Sequence, residues 1–166
     1  MQLLVRYVGK CVSWLSVVLV FVIAVDVLLR YFFNYTSAAS FELEWHLFAA
    51  LFMLSSAWAL QKDRHVRVDL FYQKFSQKGK AWVNLIGMLL FLLPFCWVAA
   101  RESLSFVAAS YAVNETSPDP GGLPARYLIK SIIPISFFLL FIQGVLEILK
   151  LICVLLKPLP NERKVS

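Results

Sequence analysis

Histidine, cysteine and acidic residues are scarce in this sequence, which has two histidines, three cysteines and ten acidic residues among 166. His46 and His65 fall near opposite ends of one apolar segment, more than about 20 Å apart along a helix, so one haem cannot bridge them. The cysteines form no CxxC pair and have no metal-ligand spacing. A glycine-rich phosphate loop and a nucleophile–base arrangement are also missing. We therefore expect no enzyme, no cofactor and no metal site.

Apolar residues are abundant instead. The chain is 60% hydrophobic and only 16% charged, which is far more apolar than a soluble domain. Its apolar surface must face lipid or other membrane helices. We expect one small membrane domain covering residues 1–166.

Four apolar runs are long enough to cross a bilayer. The run from Trp45 to Gln61 has no formal charge and covers roughly 25 Å, most of a hydrocarbon core of about 30 Å. Pro94 and Pro134 are tolerable inside two of the runs because neighbours and local adjustments re-satisfy the freed backbone groups. The sequence predicts an all-α integral membrane protein whose spans cover about 12–29, 45–61, 81–100 and 131–149.

Lysine and arginine are distributed unequally between the two sides of the predicted bundle. Of the 16 such residues, only four fall on the side opposite the termini: Arg30, Arg101, Arg126 and Lys130. Because cytoplasmic segments carry the excess of Lys and Arg, both termini are predicted to be cytoplasmic. The net charge of +6 then reflects contact with an anionic leaflet of the lipid bilayer, and we expect no nucleic-acid partner.

Two connecting segments have helical apolar spacing. Residues Val68–Phe75 predict a short amphipathic helix in the cytoplasmic interface. Residues Leu104–Tyr111 repeat that spacing, so the third helix either continues past Arg101 or bends onto the outer surface. The sequence leaves both possibilities open.

Acidic residues near the spans are the candidates for chemistry, because an acid at mid-membrane costs about 2.5 to 3.5 kcal/mol on insertion scales. Asp26 lies toward the outer interface, one turn from Arg30, which favours an ion pair over a proton or ion site. Glu147 and Lys150 favour a second structural pair. On the second helix Glu42 and His46 share a face and Glu44 points away. Interfacial anchoring near the positive helix end and contact with another protein both remain open for them.

Several motifs together resemble the small membrane subunit of TRAP transporters, the tripartite ATP-independent periplasmic carriers of bacteria. The resemblance spans nearly the whole chain. Its motifs are RYFFN from Arg30, ELEW from Glu42, LFAALF from Leu47, HVRVD from His65, DPGGLPARYLIK from Asp119 and IPISFFLLFIQG from Ile133.

This resemblance implies a division of labour among three proteins. A large membrane subunit would hold the substrate and sodium sites, and a periplasmic substrate-binding protein would deliver an organic acid. This chain would enlarge the static scaffold in the bacterial inner membrane. Its expected partner-interface residues are Arg30, Glu42, Glu44 and His46 outside, and His65, Arg67 and Asp69 inside.

Another class of protein also fits four short spans. A self-sufficient, proton-coupled exporter working as a dimer would use Asp26 or Glu42 as its titrating acid. The acids lie off the membrane centre and inverted symmetry is not visible, which disfavours this alternative. A purely structural membrane organiser is a third possibility, and it predicts no transport defect on deletion.

Overall fold

Long helices make up the structure, and the computed structural model describes residues 2–62 and 75–156. Helix α1 spans Gln2–Phe33 and α2 spans Ala38–Gln61. Helix α3 spans Gln77–Gly87, continues through a π-helical turn at Met88–Leu92 and leads into α4, Leu93–Ala112. Helix α5 spans Tyr127–Leu156. The predicted all-α fold is confirmed, since the two described ranges contain no strand.

Four helical stretches are long and apolar enough to cross a membrane, as the sequence predicts. Each predicted span lies inside one of them, and the helices extend beyond it. The third stretch runs without interruption from Gln77 to Ala112, so the helix continues past Arg101. Of the predicted interfacial helix, residues 68–74 lie outside the described part. The cytoplasmic placement of the termini stays a prediction.

Helix α5 is the centre of the bundle. It contacts α2, α3 and α4 closely, whereas α1 packs mainly against α2. The most buried apolar cluster joins α2, α4 and α5 through Ala57, Leu60, Cys96 and Leu140. A Cβ at Gly9 would lie 2.6 Å from Trp58 Cδ2, so glycine allows α1 to approach α2 at this point.

The π-helical turn ends at Leu92, two residues before Pro94. Proline has no backbone N–H, and its ring clashes with the carbonyl four residues earlier in a regular helix. A single wide turn relieves that conflict without ending the helix. The span therefore stays continuous, but its surface is uneven around Gly87.

Candidate functional site

A carboxylate is buried at one end of the bundle, where two connections meet. This end, here called the loop end, carries residues 34–37 and 113–126. Helix α2 begins after Ser37, whose backbone is extended. Glu42 lies in the second turn of α2, and its side chain is only 3% exposed. A charge in such a position must be paired and hydrogen-bonded to be stable.

Glu42 receives hydrogen bonds from three residues of the 113–126 loop. Its Oε1 accepts from the Ser117 hydroxyl and from Arg126 Nη2, the latter at 2.9 Å. Its Oε2 accepts from the Leu123 backbone N–H at 2.6 Å. We call Glu42 with Ser117, Leu123 and Arg126 the Glu42 clamp. The clamp ties α2 to the connection between α4 and α5.

The 113–126 loop also bonds to itself. The Ser117 N–H donates to the Leu123 carbonyl at 3.1 Å, and the Arg126 N–H donates to the Glu115 carbonyl at 2.9 Å. The Gly122 N–H donates to the Asp119 carbonyl at 3.0 Å. These bonds satisfy backbone groups that no helix pairs. The loop therefore has a defined conformation at the loop end.

Gly122 and Ala125 occupy constrained positions in this loop. A Cβ at Gly122 would lie 2.5 Å from Ser117 Cβ and 2.9 Å from Glu42 Oε2, so only glycine fits beside the carboxylate. Ala125 has φ +58°, a left-handed conformation that costs a non-glycine residue roughly 1–2 kcal/mol. That conformation immediately precedes Arg126, whose guanidinium reaches Glu42. The clamp offsets the strain.

A second ion pair lies beside the clamp. Lys130 Nζ donates to Glu115 Oε2 and lies 4.1 Å from the centre of the Phe106 ring. This hydrogen bond from Lys130 is the main reason that the pKa of Glu115 lies below its ordinary value of 4.5. The Arg126 guanidinium lies 5.8 Å from the Trp45 ring. Cations at the start of α5 thus hold both the loop and α2.

The other predicted outer residues are separate from this clamp. Arg30 Nη2 donates to Asp26 Oδ2 at 2.8 Å, which confirms the predicted ion pair. Glu44 is half-buried and lines a hollow with residues of α1, on a different face from Glu42. The His46 ring contacts the Trp45 ring at a tilt of 41°, with ring centroids 3.9 Å apart, and its buried Nε2 has no hydrogen-bond partner among the described residues.

The predicted inner residues His65, Arg67 and Asp69 lie outside the described residues. The ion pair predicted between Glu147 and Lys150 is confirmed, with Lys150 Nζ at 2.5 Å from Glu147 Oε1. Gln143 Nε2 donates to the same oxygen at 2.7 Å. Within residues 2–62 and 75–156, no group of three His, Cys, Asp or Glu side chains has the geometry to hold a metal ion.

Sequence reasoning missed the partners of Glu42. Ser117, Leu123 and Arg126 lie 75 to 84 residues away along the chain, and no local periodicity connects them to α2. The available signal was the fixed-turn string Asp119–Arg126 together with an acid at the same end of the bundle. That signal indicates proximity but does not select Glu42 over Glu44.

Comparison with family models decides what kind of protein has this arrangement. The model described as the DctQ component of tripartite ATP-independent periplasmic transporters matches residues 19–154. The chain belongs to this family. No curated protein matches it. The match includes all four residues of the clamp, the second half of α1 and nearly all of the later helices.

Membership fixes the general role of the chain. A DctQ component is the small part of a tripartite transporter. This chain is therefore a transporter component, and its family is not a family of enzymes. Its four apolar helices make it a multi-pass membrane protein. The resemblance inferred from HVRVD, DPGGLPARYLIK and the other motifs is confirmed.

Proposed function

We propose that this DctQ component forms part of the static scaffold of a sodium-coupled, binding-protein-dependent importer of organic acids. The observation that carries the proposal is that the bundle buries little of the surface of its own helices. In the apolar stretch of each membrane-spanning helix, only 11 to 22% of the residues are buried inside the bundle. Helices with so much uncovered surface gain van der Waals contacts from a neighbouring membrane protein. We infer that the large transport subunit is that neighbour.

Three acids in the membrane-spanning helices already have cationic partners, which supports a scaffold role over an ion-carrying role. Asp26 pairs with Arg30, Glu42 with Arg126 and Glu147 with Lys150. An acid that carries protons must lose and regain its proton during each cycle. A carboxylate held by a guanidinium and two further donors, as Glu42 is, resists protonation. This disfavours the proton-coupled dimeric exporter.

The proposed arrangement places the chain in the bacterial inner membrane with both termini in the cytoplasm. The loop end then faces the periplasm, where the substrate-binding protein arrives. Arg30 is 56% exposed, and Glu44 and His46 are half-buried, so these three are the proposed outer contacts. Glu42 acts indirectly by holding the 113–126 loop. His65, Arg67 and Asp69 stay proposed contacts on the inner side.

Co-purification with the large subunit tests the proposed assembly. The tagged full chain and the large subunit of the same transporter would be co-expressed and extracted in mild detergent. We expect both subunits to elute together. A monodisperse chain without affinity for the large subunit would contradict the scaffold role. For the predicted contact residues, co-elution of Glu44→Gln is compared with that of Glu102→Gln, which removes an exposed carboxylate on α4. If Glu44 is a contact, only Glu44→Gln weakens co-elution.

Uptake in proteoliposomes separates the importer from the exporter. We expect accumulation of an organic acid only with a sodium gradient, the binding protein and both membrane subunits. If the large subunit transports at the same rate without this chain, the scaffold role is wrong. Efflux by this chain alone that is abolished by Asp26→Asn would establish the exporter instead.

A further inference from the structure

Glu44 differs from every other acid in the described part of the chain. It is half-buried, yet it has no hydrogen bond or ion pair with any described residue. The other acids that are buried or half-buried there each pair with a lysine or an arginine, namely Asp26, Glu42, Glu115 and Glu147. The remaining described acids are exposed to solvent. Glu44 is therefore a partly desolvated carboxylate whose charge this chain does not balance.

The surroundings of Glu44 are apolar. Its side chain lines a hollow of about 250 Å³ between α1 and α2. The other lining residues are apolar and come from both helices: Leu19, Ile23, Phe41, Trp45 and Phe48. Leu19 and Ile23 lie within the predicted span 12–29, and Phe48 lies within the predicted span 45–61. The hollow therefore belongs to the sides of two membrane-spanning helices, and the 59% exposure of Phe48 leaves its edge open to a neighbour.

The chemistry of this hollow selects a cation. A carboxylate among apolar side chains in a membrane is costly unless a cation pairs with it, and aromatic rings attract cations further. The chain itself contains one such arrangement, because Arg126 bonds to Glu42 and lies 5.8 Å from the Trp45 ring. Trp45 also lines the hollow of Glu44. A second cation would meet the same two kinds of group there, a carboxylate and an aromatic ring.

The position and lining of the hollow decide where the cation comes from. A soluble periplasmic protein does not reach residues such as Ile23 that lie within a membrane span. The ammonium of a phospholipid headgroup brings a phosphate with it, and none of the six lining residues is basic. That phosphate would lie near the Glu44 carboxylate without a cation of its own. A lysine or arginine side chain of a membrane protein brings only the positive charge.

We propose that Glu44 binds a basic side chain on a membrane helix of the large transport subunit. The carboxylate pairs with the cation, and the rings of Trp45 and Phe48 surround it. The ion pair then fixes the position of the α1–α2 hairpin against the large subunit. This proposal rests on the proposed scaffold function and adds the chemistry of one contact to it.

Association of the purified subunits in one neutral detergent tests the contact. Removing one partner of a buried charged pair weakens binding strongly, so we expect Glu44→Gln to lower the association constant about thirtyfold. Glu44→Lys should lower it further, since two cations then face each other. Glu102→Gln and Glu102→Lys make the same charge changes at an exposed position of α4 and should leave association unchanged. The SDS midpoint of isolated Glu44→Gln should equal that of the native chain, because the carboxylate has no partner there.

Photocross-linking identifies the cation. A benzophenone side chain in place of Phe48 should cross-link to a peptide of the large subunit that contains a lysine or an arginine. Replacing that basic residue by Glu should weaken association with the native chain and restore association with Glu44→Lys.

The outcomes separate this contact from the scaffold role. If the native chain binds the large subunit and Glu44→Gln binds it equally well, the contact is wrong and the scaffold role stands. Absence of binding by the native chain would overturn both. Cross-links only to lipid, or only to a second copy of this chain, would assign the hollow to that occupant and overturn the contact.

Discussion

Asp26 and Glu42 are two acids near the same end of the bundle, and both pair with an arginine. Asp26 pairs with Arg30 one turn away on the same helix; its own side chain is 9% exposed, and the arginine side chain is 56% exposed. Glu42 pairs with Arg126, which is 84 residues away and 23% exposed, and it also binds the loop through Ser117 and Leu123. The carboxylate–arginine pair lies within one helix in the first case and joins distant parts of the chain in the second.

The difference determines what each carboxylate contributes. A pair within one helix contributes little when its arginine is more than half exposed, because water screens the guanidinium and the side chains lose conformational entropy. Removing one partner of a buried pair leaves an uncompensated charge and unsatisfied donors. The Glu42 clamp should therefore support the fold of the loop end, whereas the Asp26 pair should scarcely affect it.

The largest expected effect comes from removing the clamp carboxylate. Glu42→Ala leaves the half-buried Arg126, the Ser117 hydroxyl and the Leu123 amide without their acceptor, and we expect the free energy of unfolding to fall by about 3–5 kcal/mol. Unfolding by SDS titration in mixed micelles measures this change. Glu44→Ala is the control, two residues along the same helix, and should change stability by less than about 1 kcal/mol. Similar values for the two variants would contradict the assigned role of Glu42.

A smaller loss is expected from crowding the clamp without removing its charges. Gly122→Ala places a Cβ 2.9 Å from Glu42 Oε2, and overpacking of this kind costs about 1–3 kcal/mol. Gly121→Ala is the matched neighbour, because its Cβ meets no atom within 4 Å but its φ is +77°. We expect Gly121→Ala to lower only stability. Gly122→Ala should in addition expose the Leu123 amide to hydrogen exchange, and an unchanged exchange rate there would contradict the clamp geometry.

Acidification should weaken the loop end through Glu115. The pKa of Glu115 is depressed by Lys130, so its contribution to stability is complete above the unfolded value near 4.5 and is lost as the pH falls through the lower folded value. Melting temperatures of the native chain and Glu115→Gln, measured from pH 7 to pH 3, should converge at the acidic end. A difference that stays constant across this range would exclude the ion pair as its cause.

The smallest effect is expected from the local pair. Asp26→Asn removes one partner of an i,i+4 pair, and we expect a loss of about 0.2–0.5 kcal/mol that shrinks with added salt. The same SDS titration at low and high salt measures it. A loss as large as that of Glu42→Ala would erase the distinction between the two acids.

The features predicted from sequence are those that local spacing determines. The spans follow from uncharged runs such as Trp45–Gln61, and the pairs Asp26–Arg30 and Glu147–Lys150 follow from helical periodicity. The sequence leaves the path past Arg101 open because a continuing helix and an interfacial helix have the same apolar spacing. Only packing of the third stretch against α5 distinguishes them.

The candidate site was beyond local reasoning for a different reason. Glu42 and Glu44 are both acids in the first turns of α2, and the sequence indicates only that they face different sides. Which of them is buried depends on where the 113–126 loop folds back. That path depends on Gly122 and on the left-handed Ala125, whose strain no propensity predicts.

Hydrogen exchange at the Leu123 amide tests most directly whether Glu42 fixes the loop that faces the proposed partners. This amide donates to Glu42 Oε2 at 2.6 Å, and hydrogen bonds to charged groups contribute about 1.5–3 kcal/mol. In Glu42→Ala we expect its exchange to accelerate about tenfold or more, while the amide of buried Leu140 in α5 stays protected. An unchanged rate at Leu123 would show that the loop keeps its conformation without the carboxylate, and the clamp would have no structural role.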